Sequence, residues 1–289
     1  MSTVTWISGG PAQQPDLVRP SLDLSGPLLT AAFESLARGA EPLGGLERYV
    51  EALQLKSALF QDTLCDEKAE ALQLSELMSI CTFMATVRRR IGIYLNGDGL
   101  VRIRTGLVAL LNGSADTSTA DRRISAFCDL FPKDRDHRFV HDLAAEVLHN
   151  VYPERYPLMN RWVWDSKTNT GAIREIWFGE NVDHMTIPLP DGYGTFLMLR
   201  EELAQFLSQQ GVFRDMIYFV DLLTAQVYSN YISAQGGTYL RADFSSAEDP
   251  MHHTRRILGL DGVRPGSTRT RLKAFDGEAF VLDDPKFLT

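Results

Sequence analysis

The stretch Asp134-Arg-Asp-His-Arg-Phe-Val-His-Asp-Leu-Ala-Ala-Glu-Val-Leu-His-Asn-Val151-Tyr-Pro153 decides the fold class. Its apolar residues recur at helical spacing and form one stripe, which consists of Val140, Leu143, Ala144, Val147, Leu148 and Val151. Pro153 ends the pattern, because proline lacks the backbone N–H that a helix interior requires. The segment therefore predicts a helix from near Asp134 to Val151 whose stripe packs on other helices.

The same helical period recurs on both sides of this segment. Apolar residues follow it from Leu28 to Arg38, and again in two stretches, 196–207 and 212–231, that Gly211 separates. The exception is Leu100–Arg104, where apolar and basic residues alternate as in a short strand. We predict a mainly α, multi-helical globular bundle of about eight helices.

Periodicity fails between Tyr152 and Gly194, where four prolines and a polar run interrupt the pattern. We expect an irregular insert there, with a short β-hairpin as one option. The chain then divides into an extended lead-in (1–27), a helical region (28–151), an aromatic-rich loop insert (152–194), a second helical region that packs on the first (195–259) and a tail (260–289).

Composition excludes several classes of protein. The chain has 289 residues, 44% of them hydrophobic, but no uncharged apolar run long enough to cross a bilayer. Its three cysteines fit neither a disulfide framework nor a Cys-x-x-Cys motif. The first residues do not resemble a secretory signal. We therefore expect a cytoplasmic protein that does not associate with membranes.

Charge is unevenly distributed along the chain. The net charge is −8, yet residues 86–141 carry +4 and residues 252–273 carry +5. Non-specific binding of nucleic acid is weak for a protein with a net negative charge. The two basic segments nevertheless allow phosphate to bind locally. Arg88-Arg89-Arg90 can form part of a phosphate-binding patch, or it can complement the negative end of a helix dipole.

The insert combines aromatic rings with arginines. Such a surface can stack planar groups and reach phosphates or carboxylates. The alternative is that the rings anchor an irregular segment to the helical core. The residues predicted to bind a partner here are Arg155, Arg161, Trp162, Trp164, Arg174 and Trp177.

The basic segment near the C-terminus contains the remaining predicted partner-binding residues. These are Arg255 and Arg256, together with Arg269 and Arg271 of the polar stretch Arg264–Lys273. A mobile basic arm of this kind can bind nucleic acid or an acidic protein. It can equally dock on the acidic N-terminal third of the same chain.

A possible metal site lies at the start of the predicted central helix. Asp134, His137 and His141 are spaced three and four residues apart, so on a helix they share one flank. Imidazole and carboxylate ligands suit a divalent metal such as zinc or iron, although one further ligand is needed. The alternative is that Asp134 caps the helix and both histidines are solvated.

One segment resembles a known family. Leu143–Arg161 contains Leu-His-x-x-x-Pro-Glu-x-Tyr-Pro followed by Asn160 and Arg161, and it is similar to a segment of helix-hairpin-helix-like domains in restriction-associated proteins and DNA glycosylases. The resemblance covers about twenty residues and implies a helical, DNA-associated module. The Gly-x-Gly hairpin of those domains is replaced by Lys133–Phe139, and no catalytic Lys and Asp pair can be placed. It therefore implies no catalytic residue.

Signatures of common enzymes are missing from the sequence, including the phosphate-binding loop, the dinucleotide fingerprint, the nucleophile elbow and the His-Glu-x-x-His motif. We predict a cytoplasmic accessory or regulatory protein that binds a macromolecular partner. A protein partner is favoured and a nucleic acid comes second, with no cofactor required. Catalysis is left open but not favoured. The alternatives are a DNA-associated protein and an enzyme that uses a divalent metal at the Asp134 cluster.

Overall fold

Ten α-helices are present in the computed structural model, which describes residues 22–236 and 250–261 and the backbone of 270–273 and 279–282. The helices are α1 (Gly26–Ala40), α2 (Glu47–Leu64), α3 (Leu74–Thr82), α4 (Gly97–Leu111), α5 (Ala120–Cys128), α6 (Phe139–Val151), α7 (Ala172–Glu175), α8 (Tyr193–Gln209), α9 (Met216–Gly236) and α10 (His252–Ile257). Two short strands, β1 (Thr270–Lys273) and β2 (Ala279–Leu282), pair antiparallel. The prediction of a mainly α, multi-helical fold is confirmed.

The helical periods predicted most of these helices, but the strand prediction for Leu100–Arg104 is wrong. That stretch lies inside α4. The reason is local: the Asn96 side chain accepts a hydrogen bond from the Gly99 backbone N–H at 2.7 Å and so caps the helix. Gly99 is required there, since a Cβ would lie 2.2 Å from the Tyr94 carbonyl oxygen. The stretch Asn96-Gly97-Asp98-Gly99 is thus the start of a helix.

Helix α6 lies at the centre of the fold, packed against α2, α4 and α5. Twelve of its thirteen residues are buried, the exception being His141. It begins at Phe139 and not near Asp134, which stands in the preceding turn. The predicted apolar stripe is present, but the opposite face is buried too. Its polar residues must therefore find partners inside the protein.

Glu146 of α6 forms a buried ion pair with Lys56 of α2. The Lys56 Nζ lies 2.8 Å from Glu146 Oε2, and both side chains are 3% exposed. Lys56 also donates to the Leu258 carbonyl oxygen at 3.0 Å, and Asn160 Nδ2 donates to Glu146 Oε1 at 3.3 Å. This pair thus ties α2, α6, the insert and the end of α10 together.

The insert packs as part of the core. Tyr156 and Trp164 are almost completely buried. The Trp164 indole N–H donates to the Leu189 carbonyl oxygen at 3.2 Å. The insert contains α7 and isolated β-bridges: an antiparallel bridge between Asp165 and Thr170 closes a tight turn, and another joins Trp177 to Leu24. Among the described helices, none combines the length and apolar character that a membrane span needs.

His149 of α6 joins α9 to the insert. Its Nδ1 lies 2.9 Å from the Tyr156 carbonyl oxygen, and its Nε2 lies 2.8 Å from Asp221 Oδ2. Both ring nitrogens face oxygen acceptors, so only the doubly protonated imidazolium donates to both. Burial by itself lowers the pKa of His149, but the Asp221 carboxylate and these hydrogen bonds outweigh it and raise the pKa above its ordinary value of 6.5.

We expect Lys56→Met to lower the free energy of unfolding by about 3 to 5 kcal/mol, because the Glu146 carboxylate is then buried without its cation. Urea denaturation measures the loss. Lys133→Met is the matched control: its pair with Asp129 is 78% and 53% exposed, so this change should leave the free energy of unfolding nearly unaltered. Equal effects of the two changes would contradict the assigned role of the buried pair.

The raised pKa of His149 predicts a pH-dependent stability. A protonated His149 stabilises the fold fully below its unfolded-state pKa, and this contribution is lost as pH rises through the folded-state pKa. The free energy of unfolding should therefore fall as pH increases from the unfolded-state pKa of His149 to its raised folded-state pKa. In His149→Gln that component should disappear, whereas His184→Gln, which changes an exposed histidine, should retain it. A pH profile unchanged by His149→Gln would refute the assignment.

Candidate anion-binding site

An open pocket of about 530 Å³ lies where the turns on either side of α6 meet α9 and α10. We call it the arginine pocket, because six of its lining residues are Arg89, Arg90, Arg135, Arg138, Arg161 and Arg256. Among the described residues that line it there is no aspartate or glutamate. The lining thus combines an unusual number of guanidinium groups with a concave shape, which suits an anion.

Arg89 and Arg90 reach the pocket from the turn that follows α3. The preceding residue, Arg88, points the other way: it is buried, donates to the Thr82 carbonyl oxygen at 3.2 Å and pairs with Asp261 beyond α10. Arg88 therefore anchors the turn to the protein interior, while Arg89 and Arg90 lie at the pocket. Since α3 ends at Thr82, the helix-dipole interpretation of the triplet is wrong.

Two buried carboxylates hold the arginines that flank α6. Asp165 Oδ2 lies 2.6 Å from Arg138 Nη2, and Asp142 Oδ2 lies 3.2 Å from Arg161 Nη2. Asp142 also accepts from the Arg161 backbone N–H at 3.1 Å. Burial raises the pKa of Asp142, but nearby His141 and Arg161 together hold it below its usual value. Asp142 therefore stays ionised and orients Arg161.

The remaining arginines differ in how far they are neutralised. Arg90 pairs with Asp136 at 2.6 Å, an exposed contact that contributes little binding energy. Arg89, Arg135 and Arg256 are exposed and form no ion pair with any residue in the described ranges. Three guanidinium groups at one concavity thus remain uncompensated.

One wall of the pocket is aromatic and apolar. Trp162 and Tyr228 line it with their ring centroids 5.8 Å apart and their planes inclined by 36°. Trp162 is only 8% exposed, and its Nε1–H has no hydrogen-bond partner among the described residues. The same holds for Nε of Arg161. The pocket therefore has charge at its rim and aromatic rings on one wall, and two of its lining residues each carry a buried N–H donor without a partner among the described residues.

Of the residues predicted to bind a partner, three line this pocket: Arg161, Trp162 and Arg256. Trp164 is sealed in the core and Trp177 is half-buried. Arg174 is a structural residue, because it donates to three backbone carbonyls within the insert.

The other predicted partner-binding residues lie elsewhere. Arg155 is exposed and sits over the Tyr152 ring, 5.0 Å from its centroid. Arg255 is 2% exposed, so its guanidinium is buried in the fold. Arg269 lies outside the described residues, and of Arg271 only the backbone is described, within β1. Of the predicted basic residues near the C-terminus, Arg256 is thus the one that lines the pocket among the described residues.

Sequence reasoning did not assign Arg135, Arg138 or Tyr228 to a site. The positive charge of residues 86–141 was the available signal, and it identified the Arg88–Arg90 triplet as a candidate patch. Arg135 and Arg138 were overlooked because the histidines between and beside them suggested a metal site.

The metal site predicted from Asp134, His137 and His141 is not formed. Because α6 begins only at Phe139, Asp134 and His137 lie in a turn and do not share a helix flank with His141. His137 Nδ1 instead contacts Asp134 Oδ1 at 2.7 Å, while His141 lies 3.9 Å from Asp142. Over the described ranges, no cluster of three or more His, Cys, Asp or Glu is arranged to hold a metal ion.

Comparison with protein-family models, with curated proteins and with solved structures gives no match. The local resemblance of Leu143–Arg161 stays a prediction. In the structure this segment supplies the second half of α6 and the start of the insert, including Arg161 of the pocket.

Proposed function

We propose that this chain is an accessory or regulatory binding protein whose macromolecular partner is a nucleic acid, held at the arginine pocket. The observation that carries the proposal is the convergence of six guanidinium groups on one concavity in a chain whose net charge is −8. A local cluster of positive charge in a protein with a net negative charge favours specific binding of an anionic ligand over non-specific binding of polyanions.

Guanidinium groups suit phosphate in particular. Their planar N–H forks donate two parallel hydrogen bonds to phosphate oxygens. Arg138 and Arg161 are already oriented by Asp165 and Asp142. Arg89, Arg135 and Arg256 have no competing carboxylate in the described part of the chain. The first pair supplies fixed geometry and the other three supply net charge.

The aromatic wall favours nucleic acid over an acidic protein. A carboxylate-rich peptide would use the arginines but would leave the faces of Trp162 and Tyr228 without a complementary group. Nucleic acid carries both phosphates and flat bases, which stack on aromatic rings. Burial of Trp164 leaves Trp162 as the insert tryptophan that lines the pocket.

We expect fluorescence anisotropy to detect binding of a labelled oligonucleotide that weakens steeply as salt is raised from ~50 to ~200 mM. Each of Arg89→Gln, Arg135→Gln and Arg256→Gln should weaken binding and reduce the slope of log K against log salt by about 1 for each lost phosphate contact. Arg155→Gln is the matched control, since it removes an exposed arginine that does not line the pocket.

Two results would overturn the proposal. One is an affinity that the triple arginine variant leaves unchanged. The other is competition by polyglutamate as effective as competition by unlabelled oligonucleotide of equal charge, which would point to an acidic protein as the partner.

A further inference from the structure

The size and lining of the arginine pocket bear on which form of nucleic acid it accepts. We infer that the pocket receives one unpaired nucleotide, with its base against the Trp162–Tyr228 wall and its phosphates on the arginines. The inference rests on the proposed function and specifies it: the partner is a single strand or a single-stranded end.

The volume of the pocket is the first support. At about 530 Å³ it falls within the ~300 to 1,000 Å³ of ordinary small-ligand sites. A duplex keeps its bases stacked inside and presents only its backbone and groove edges, so it could contact the rim alone. A base that is unpaired can leave the strand and enter a concavity.

The aromatic wall is the second support. A rim of arginines would be enough to hold the backbone of a duplex, and ring faces inside the pocket would add nothing to that contact. Tyr228 is half-buried on α9 and Trp162 stands on the insert, so the two rings come from different parts of the chain to form one wall. Rings of this kind stack on bases with little sequence preference.

The unsatisfied donors are the third support. Trp162 Nε1 and Arg161 Nε belong to two lining residues, and neither has an acceptor among the described residues. Buried donors normally find partners, and leaving one unpaired is costly. Both atoms have almost no exposed surface, so a nucleotide, which brings carbonyl, ring-nitrogen and phosphate acceptors, reaches them only if these two side chains shift as it packs against the wall. Inorganic phosphate would supply acceptors without a base.

Competition against a labelled single-stranded oligothymidylate tests the inference. We expect unlabelled single strands to compete better than the same length of duplex. Tyr228→Leu, which keeps apolar volume but removes the ring, should weaken single-strand binding at least about fivefold. The same change should leave binding of tripolyphosphate, a probe without a base, unaltered. Tyr231→Leu is the control, because Tyr231 is on the same helix and contacts Tyr228 without lining the pocket.

Tryptophan fluorescence provides a second reading that a purely structural role of the ring would not give. Oligonucleotide binding should quench the emission, and Trp162→Phe should remove most of the quenching while retaining the arginine-dependent binding.

The outcomes separate this inference from the proposed function. Equal, arginine-dependent affinity for single strands and duplex, with no effect of Tyr228→Leu, would overturn the inference and leave the proposed function standing. Arginine-dependent binding of tripolyphosphate together with no affinity for either oligonucleotide would overturn both.

Discussion

The structure depends on one constraint: twelve of the thirteen residues of α6 are buried although four of those twelve are polar. Asp142, Glu146, His149 and Asn150 cannot reach water, so each needs a partner from a neighbouring element. Glu146 takes Lys56 of α2 and His149 takes Asp221 of α9. Ion pairs of this kind add little net stability over apolar packing, but removing one partner is costly. They therefore select which elements can surround α6.

The same constraint builds the arginine pocket. Asp142 is buried in the core and paired with Arg161, whose position at the pocket follows from that contact. Asp165 does the same for Arg138. Because these guanidinium groups are ordered when the chain folds, a ligand does not have to order them on binding, and the entropic cost of association falls accordingly. The Asp142–Arg161 and Asp165–Arg138 pairs therefore satisfy buried carboxylates and position pocket arginines at the same time.

The helices could be predicted from sequence to the extent that local signals determine them. Gly211, with a φ of +87°, separates α8 from α9 as its position suggested. Burial of the polar face of α6 was not predictable, since its partners Lys56, Arg161 and Asp221 lie in other elements. The pocket was harder still: Arg89, Arg138 and Arg256 are distant in sequence, and only tertiary packing brings them together. The placement of Trp162 at the pocket wall and of Trp164 deeper in the core also depends on that packing.

Net charge and local charge have different consequences for the same ligand. Screening limits the reach of exposed charges to ~8 Å at physiological ionic strength, so an anion inside the pocket responds mainly to the six arginines and to the carboxylates that pair with three of them. A long polyanion lying across the surface meets the rest of a chain whose net charge is −8. The acidic balance therefore does not oppose binding at the pocket but penalises extended, non-specific contact. Because binding inside the pocket is favourable and extended contact with the acidic surface is not, the protein is selective for a group that can enter the concavity.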